Sequence, residues 1–255
     1  MMPNIRSFER SIEEAITQPF SGWDFSYLDG RMVSEELPWD YAALAKSRLA
    51  SAGSLLDMGT GGGEALADLA PLPRIAFASE AYLPNLKTAA NRLRPLGVHV
   101  VAVDSQEAFL PFRQSSFALV INRHESFTPA ALSRILAPGG IFLTQQVGGR
   151  DNIQLNEFLQ EEVQFEYIDW SCQAAVDSLQ QAGFEILRQE EVFPQVVFKD
   201  FTAVLFYLRV IEWQIADFSV QRYEKRLLDI YRLMDEEGEF RTRSHRFLIE
   251  ARKKN

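Results

Sequence analysis

From about residue 54 onward, short apolar runs alternate with helical periodicities. The runs Ser54–Met58, Ile75–Ser79, Val98–Val103, Phe117–Asn122 and Ile141–Val147 are rich in branched or aromatic residues and bounded by Gly, Pro, Asp or Ser, which marks strands. Several lack polar alternation, as expected of strands covered on both faces of a parallel sheet. Between them, Leu86, Ala89, Ala90 and Leu93 recur at helical spacing, with Pro84 suited to the helix start and Pro95 and Gly97 to its end. A second helical stretch, Ala130–Leu136, meets Pro138-Gly139-Gly140 and then a strand. Repeated strand–helix–strand units imply right-handed crossovers and an open, doubly wound α/β sheet.

Two regions lie outside this alternation. Residues 1–52 predict a helical cap, with helices over Phe8–Ile16 and Tyr41–Leu49 and a loop holding Phe20, Trp23, Phe25, Tyr27 and Trp39. After a helix near Cys172–Ala182 and a strand from Phe184, residues 199–237 predict two helices. In the second of these, Val220, Tyr223, Leu227, Ile230 and Met234 form one apolar stripe. Thr242–Ala251 returns to a strand pattern. The expected organisation is a single domain, with a cap over 1–52, a core over 53–255 and a helical insertion at about 199–237 before the last strand.

Composition narrows the function classes. The 255 residues are 47% hydrophobic and 12% aromatic, which excludes a chain that stays disordered. A net charge of −9 repels phosphate backbones at long range and lowers the expectation of a nucleic-acid partner. One cysteine, Cys172, excludes an intramolecular disulfide and a cysteine-rich metal site. The three histidines, 99, 124 and 245, have no ligand spacing, so no metal is expected. The opening MMPNIRSFERSIEEAI lacks a basic segment followed by an apolar one, so a secretory signal is not expected. The oiliest stretch, Phe201–Ile211, carries Thr202 and Arg209, which rules out a span. The cytoplasm is the expected compartment.

The densest chemical signal is Leu55-Leu56-Asp57-Met58-Gly59-Thr60-Gly61-Gly62-Gly63-Glu64, an apolar strand entering a glycine turn before a helix. A dinucleotide fingerprint wants its third glycine at position 64, where this chain has Glu64, and that counts against a nicotinamide dehydrogenase. A phosphate-binding Walker loop needs a lysine that the turn lacks. Acids at the strand end and the helix start repel a pyrophosphate and suit a cationic ligand. Glu80 ends the second strand, where an acid can accept from both hydroxyls of a ribose. Asp104-Ser105 follows the third strand and can meet an adenine edge. Each acid has a plainer alternative: Asp57 a turn cap, Glu80 a solvated loop residue, Asp104-Ser105 an ordinary turn pair.

Asp57-x-Gly59-x-Gly61-x-Gly63, Glu80, Asp104-Ser105, Leu110-Pro111-Phe112 with Phe117-Ala118-Leu119-Val120, and Leu136-Ala137-Pro138-Gly139-Gly140 occur in one order. That order resembles the class I S-adenosylmethionine-dependent methyltransferases, and most of all their small-molecule, ubiquinone-biosynthesis-type branch. The resemblance covers roughly residues 40–150. It implies a Rossmann-like, seven-stranded, mostly parallel sheet whose last strand is antiparallel. It also implies S-adenosylmethionine as cofactor, with S-adenosylhomocysteine as product. Asp57, Gly59, Thr60, Gly61 and Gly63 would cradle the methionine part. Glu80 with Ala81 would hold the ribose, Asp104 and Ser105 would face adenine, and Asn122 would flank the methyl.

The fourth strand ends in Ile121-Asn122-Arg123-His124-Glu125, which departs from the Asn-Pro-Pro-Tyr found in related amide and base methylases. That departure argues against DNA-base and glutamine methylation. His124 is the candidate general base, the alternative being a loop histidine bonded to Glu125 or a carbonyl. Arg123 can bind a substrate carboxylate or pair with a surface acid. Cys172 stands at a helix start, where a thiolate is stabilised, yet has no evident partner. Phe20, Trp23, Phe25 and Tyr27, with Phe206, Tyr207, Trp213 and Phe218, are expected to form a lid and an apolar pocket for a small molecule, or else only to cover the sheet edge and helix faces. Arg241, Arg243, Arg246, Arg252, Lys253 and Lys254 keep an RNA methyltransferase as the rival, and a non-catalytic cofactor-binding module as another. A small-molecule acceptor, no nucleic acid and no membrane are the expected partnerships.

Overall fold

The computed structural model describes residues 5–20, 24–104 and 110–254. Trp23 and Ser105 of the sequence reading lie outside the described residues. Along the chain run α1 (Ile5–Thr17), β1 (Met32–Ser34), α2 (Tyr41–Leu49), β2 (Ser54–Met58), α3 (Glu64–Ala67), β3 (Ile75–Glu80), α4 (Leu83–Leu93) and β4 (Val98–Ala102). Then follow β5 (Phe117–Arg123), α5 (Pro129–Ile135), β6 (Leu136–Val147), α6 (Ile153–Leu159), α7 (Cys172–Gln181) and β7 (Phe184–Val192). The remainder is β8 (Gln195–Phe198), α8 (Phe201–Val210), α9 (Val220–Glu237), β9 (Phe240–Arg243) and β10 (Arg246–Lys253).

These elements fall into two compact units. The first comprises Met1–Leu37, Gly148–Asp169 and Val192–His245; the second comprises Pro38–Val147, Trp170–Glu191 and Arg246–Asn255. The boundaries differ from those drawn on sequence at 52 and at 199–237. Helix α2 belongs to the second unit, and the inserted part of the first also includes α6, β8 and β9.

The second unit holds a seven-stranded sheet in the order β4-β3-β2-β5-β6-β10-β7. Strands β2 through β6 pair in parallel, and β10 runs antiparallel to β6, placing Ile249 opposite Thr144. Leu55, Leu56, Val120, Phe142 and Leu143 are buried, which explains their unbroken apolar runs. Strand β6 starts earlier than expected. Phe117 pairs with Leu136 but Leu119 with Ile141, so Ala137-Pro138-Gly139-Gly140 loops out of the ladder. Strand order reverses where β2 lies between β3 and β5. In open α/β sheets, ligands bind in the crevice at the carboxyl ends of such strands.

The first unit has its own core and its own sheet, β1-β8-β9, with both pairings antiparallel. Phe8, Leu155, Phe198, Phe206, Leu227 and Ile230 anchor the core, and the stripe read along α9 is its inward face. Phe20 packs on Phe25 and Phe206, and Tyr27 lies 4.7 Å from Phe206 between ring centroids. These aromatics of the expected lid thus meet one another within that core. The single last strand expected over Thr242–Ala251 is two strands, parted at Ser244-His245 and belonging to different units.

Candidate functional site

The glycine turn leaves β2 at Met58. Gly59 has φ +66°, and a Cβ there would stand 2.6 Å from the Glu125 Cβ, so backbone conformation and close approach both require glycine. A Cβ at Gly61 would meet nothing within 4 Å, so that turn residue borders open space. Thr60 N–H donates to the Ser79 carbonyl at 3.0 Å and ties the turn to the end of β3.

Acids surround the turn. Glu80, buried at the end of β3, accepts from Gly61 N–H at 2.6 Å through Oε2 and from Tyr82 N–H at 2.7 Å through Oε1. It is therefore no solvated loop residue, and Ala81 is the residue between Glu80 and Tyr82 in the chain. Asp57 is buried at the end of β2. Burial pushes its carboxyl up to about 7, and the Thr60 hydroxyl and the Arg123 charge only partly offset this. Glu125 is also raised, by burial and by the neighbouring Glu80 charge. Two or three carboxyls gathered with so little internal compensation form a field that favours a cation.

Glu64, counted on sequence as one of these acids, is corrected by the structure. It pairs with Arg92 of α4, which also donates to the Gly62 carbonyl, so its charge is spent at the helix start. Glu125 takes its place beside Gly59. No local pattern marked Glu125; only the approach of the β5 end to the turn does. Asp104 stands exposed just beyond β4, whose Ala102 pairs with Glu80.

The end of β5 is clamped from α2. Tyr41 hydroxyl accepts from Asn122 N–H at 3.1 Å and donates to Asn122 C=O at 3.0 Å, replacing the next rung where β2 turns away. Burial and nearby Asp57 raise the Tyr41 phenol, so it stays a neutral hydroxyl. The Asn122 side chain is fully buried. Its Oδ1 accepts from Glu125 N–H at 3.2 Å and from Gln146 Nε2 at 2.9 Å, while its Nδ2 finds no partner among the described residues. An unsatisfied buried donor costs about 1–3 kcal/mol, and such groups concentrate where a site retains them.

His124 follows, exposed and with φ +72°, a backbone region that few residues other than glycine adopt. Its ring meets the Gln145 side chain, with Nε2 3.2 Å from Gln145 Nε2, while its backbone N–H donates to the Gln145 carbonyl at 2.8 Å. The surrounding protein, Arg246 and Arg123 together lower its pKa.

Cys172 begins α7, but burial and the Glu191 charge push its thiol up to about 12, so the expected helix-start stabilisation does not prevail. Among the described residues there is no His/Cys/Asp/Glu group able to hold a metal, and no helix is long and apolar enough to cross a membrane. The basic tail is divided and engaged. Arg241 pairs with Glu239, Arg252 lies 3.3 Å from Glu185, and Lys253 Nζ donates to the Leu136 carbonyl at 2.8 Å.

No family model and no curated protein matches the chain. Solved structures do. A Bacillus halodurans protein assigned as a methyltransferase superposes with a TM-score of 0.60 at 20% identity, over 85% of this chain and 99% of its own. A Deinococcus radiodurans protein of unknown function gives 0.61 at 14%, over 97% and 99%. The [4+2]-cyclase SpnF gives 0.52 at 18%, over 98% and 92%. With β10 antiparallel beside β6 and an acid-lined glycine turn at the end of β2, the chain has the class I methyltransferase fold.

Proposed function

We propose that the protein is an S-adenosylmethionine-dependent methyltransferase acting on a small molecule. The observation that carries the reading is the acid-lined glycine turn: Asp57, Glu80 and Glu125 gather where Gly59 admits the Glu125 side chain and Gly61 leaves backbone uncovered. This environment fits a ligand that carries an ammonium, a sulfonium and a ribose, and it opposes one that carries phosphates. When bound, the cofactor supplies an activated methyl group on sulfur.

The chain's own residues bind and orient. Glu80 already spans Gly61 and Tyr82 N–H, and each of its oxygens keeps a lone pair for a ribose hydroxyl. Asp57, with Thr60 and Gly63 in the same turn, faces the cationic methionine end. A cation there would favour the ionised Asp57 carboxylate that burial now disfavours. Asn122 Nδ2 is a donor suited to the methionine carboxylate. Asp104 follows β4 on the side proposed for the adenine. A small acceptor is supported by the overall charge of −9 and by the pairing of the tail's basic residues.

Transfer from methyl-labelled S-adenosylmethionine to a pool of small metabolites tests this, with labelled product expected. Filter binding across salt concentrations is expected to give no RNA affinity even at low salt, and firm binding there would favour the RNA rival. SpnF supports a second reading, because a chain with this fold bears a cyclase name. Binding of S-adenosylhomocysteine with no transfer to any member of the pool would favour that reading, or the non-catalytic module.

A further inference from the structure

The residues beside the β5 end determine where the proton sits on His124. Trp39 Nε1–H can only donate, and it donates to Gln145 Oε1 at 2.8 Å. That bond fixes the Gln145 amide, so its NH2 side faces the His124 ring Nε2 at 3.2 Å. An NH2 group can only donate as well. His124 Nε2 must therefore present a bare lone pair, which places the ring proton on Nδ1.

Three further features hold this arrangement. His124 N–H donates to the Gln145 carbonyl at 2.8 Å, so backbone and side chain of the two residues are tied together. The left-handed backbone at His124 is strained in a residue with a side chain, and the surrounding bonds maintain it. Trp39 and Gln145 are both buried, which keeps water from competing for the amide. The charges acting on the ring, Arg123 and Arg246, both oppose its protonation.

The lone pair that a general base would use is thus already occupied. Among the described residues, nothing meets Nδ1, and the ring is exposed. Arg123, next in the chain, is exposed and forms no salt bridge among the described residues.

We propose that His124 is a neutral hydrogen-bond donor, through Nδ1–H, to an oxygen of an acidic acceptor molecule, with Arg123 supplying the matching charge. Trp39 and Gln145 are positioning residues that act through His124. This assignment rests on the methyltransferase reading and names the substrate class for it: small molecules that carry a carboxylate or another anionic oxygen.

Nitrogen-15 spectra of the histidine rings in the full-length protein test it. The His124 signal is assigned by its loss in His124→Asn. The expected spectrum shows a protonated Nδ1 and a bare Nε2 that persist from pH 8 down to pH 5. Trp39→Phe, which keeps an aromatic ring but removes the N–H donor, and Gln145→Leu should each give a mixture of tautomers and an upward shift of the titration. A protonated Nε2 in the unaltered protein, or titration near the ordinary histidine value of about 6.5, overturns the assignment.

Benzoate and benzylamine then probe the acceptor class in protein saturated with S-adenosylhomocysteine. Benzoate should shift the Nδ1 signal, Arg123→Gln should weaken that response at least fivefold, and benzylamine should leave the signal in place. No response to benzoate, or equal responses to both, overturns the acidic-acceptor class. Failure of S-adenosylhomocysteine to bind at all would instead overturn the cofactor reading, while the tautomer result would stand on its own.

Discussion

Gln214 in the first unit and Asp57 in the second are both buried polar groups, and their surroundings differ in kind. Gln214 is fully engaged: Nε2 donates to Asn156 Oδ1 at 2.6 Å and to the Asp151 carbonyl at 3.0 Å, and Oε1 accepts from the Tyr207 hydroxyl at 3.1 Å. Asn156 Nδ2 returns a bond to the Gln214 carbonyl at 2.6 Å, and Asn152 Nδ2 donates to Tyr207 at 2.8 Å. The groups bonded to Gln214 itself are neutral and answered, although Asn152 Oδ1 at the edge of the same network has no partner among the described residues. Asp57, by contrast, sits among further acids, with its carboxyl raised and Asn122 Nδ2 unanswered nearby along the β5 end. Neutral, hydrogen-bonded groups stabilise and specify a core, whereas buried carboxyls gathered at strand ends with raised pKa values make a candidate binding site. The proposed chemistry therefore falls to the sheet of the second unit, while the network of the first holds a core together.

The largest expected effect should fall on stability alone. Gln214→Ala strands Asn156, the Tyr207 hydroxyl and two backbone carbonyls and leaves a cavity. Urea unfolding should show a loss of about 3–5 kcal/mol. Binding of S-adenosylhomocysteine by the folded fraction should remain within twofold; a matching loss of affinity would break the distinction between the units.

Glu80→Gln should act mainly on affinity. It keeps the size and the Gly61 contact but removes the charge, so affinity should fall by about 2 kcal/mol, roughly thirtyfold, measured by calorimetry. Its amide NH2 would face the Tyr82 N–H, so the unfolding midpoint should also fall, by less than for Gln214→Ala.

Asp57→Asn is expected to trade one property for the other. The folded Asp57 carboxyl titrates near 7, above its ordinary value of 3.8. Between those values the unfolded chain has released a proton that the folded chain keeps, so this group's contribution to stability declines as pH rises from about 4 to about 7. Without ligand, the variant should therefore be more stable than the parent at pH 8, by about 1–2 kcal/mol, and equal to it below pH 4. Its cofactor affinity should drop at the same time. Equal stability at both pH values would remove the argument that Asp57 is held in an unfavourable charged state.

The smallest effect concerns Cys172. Its buried thiol, with a pKa near 12, should resist a thiol-specific reagent at pH 8 in folded protein and react fully in urea.

Strands β2, β3 and β5 were legible because each is a short apolar run closed by a breaker, and burial on both faces makes such runs unmistakable; β4, at the sheet edge and half-exposed, was legible from its branched residues alone. β1, β8 and β9 were not, since three or four residues carry no measurable period. Ser244-His245 parts one apparent strand into two because the chain changes unit there, which no local pattern announces. In the site, Asp57, the glycines and Glu80 could be read from position alone. Glu64 could not be judged without Arg92, and Glu125, Tyr41, Trp39 and Gln145 become visible only when β5, α2 and β6 lie side by side.

Calorimetric titration of the full chain with S-adenosylhomocysteine, with NAD as the comparison, tests the central claim most directly. One-to-one binding of S-adenosylhomocysteine is expected, with no heat from NAD and a loss of at least a hundredfold in affinity in the double variant Asp57→Ala, Glu80→Ala. No binding of S-adenosylhomocysteine, or unchanged binding in the double variant, would contradict it.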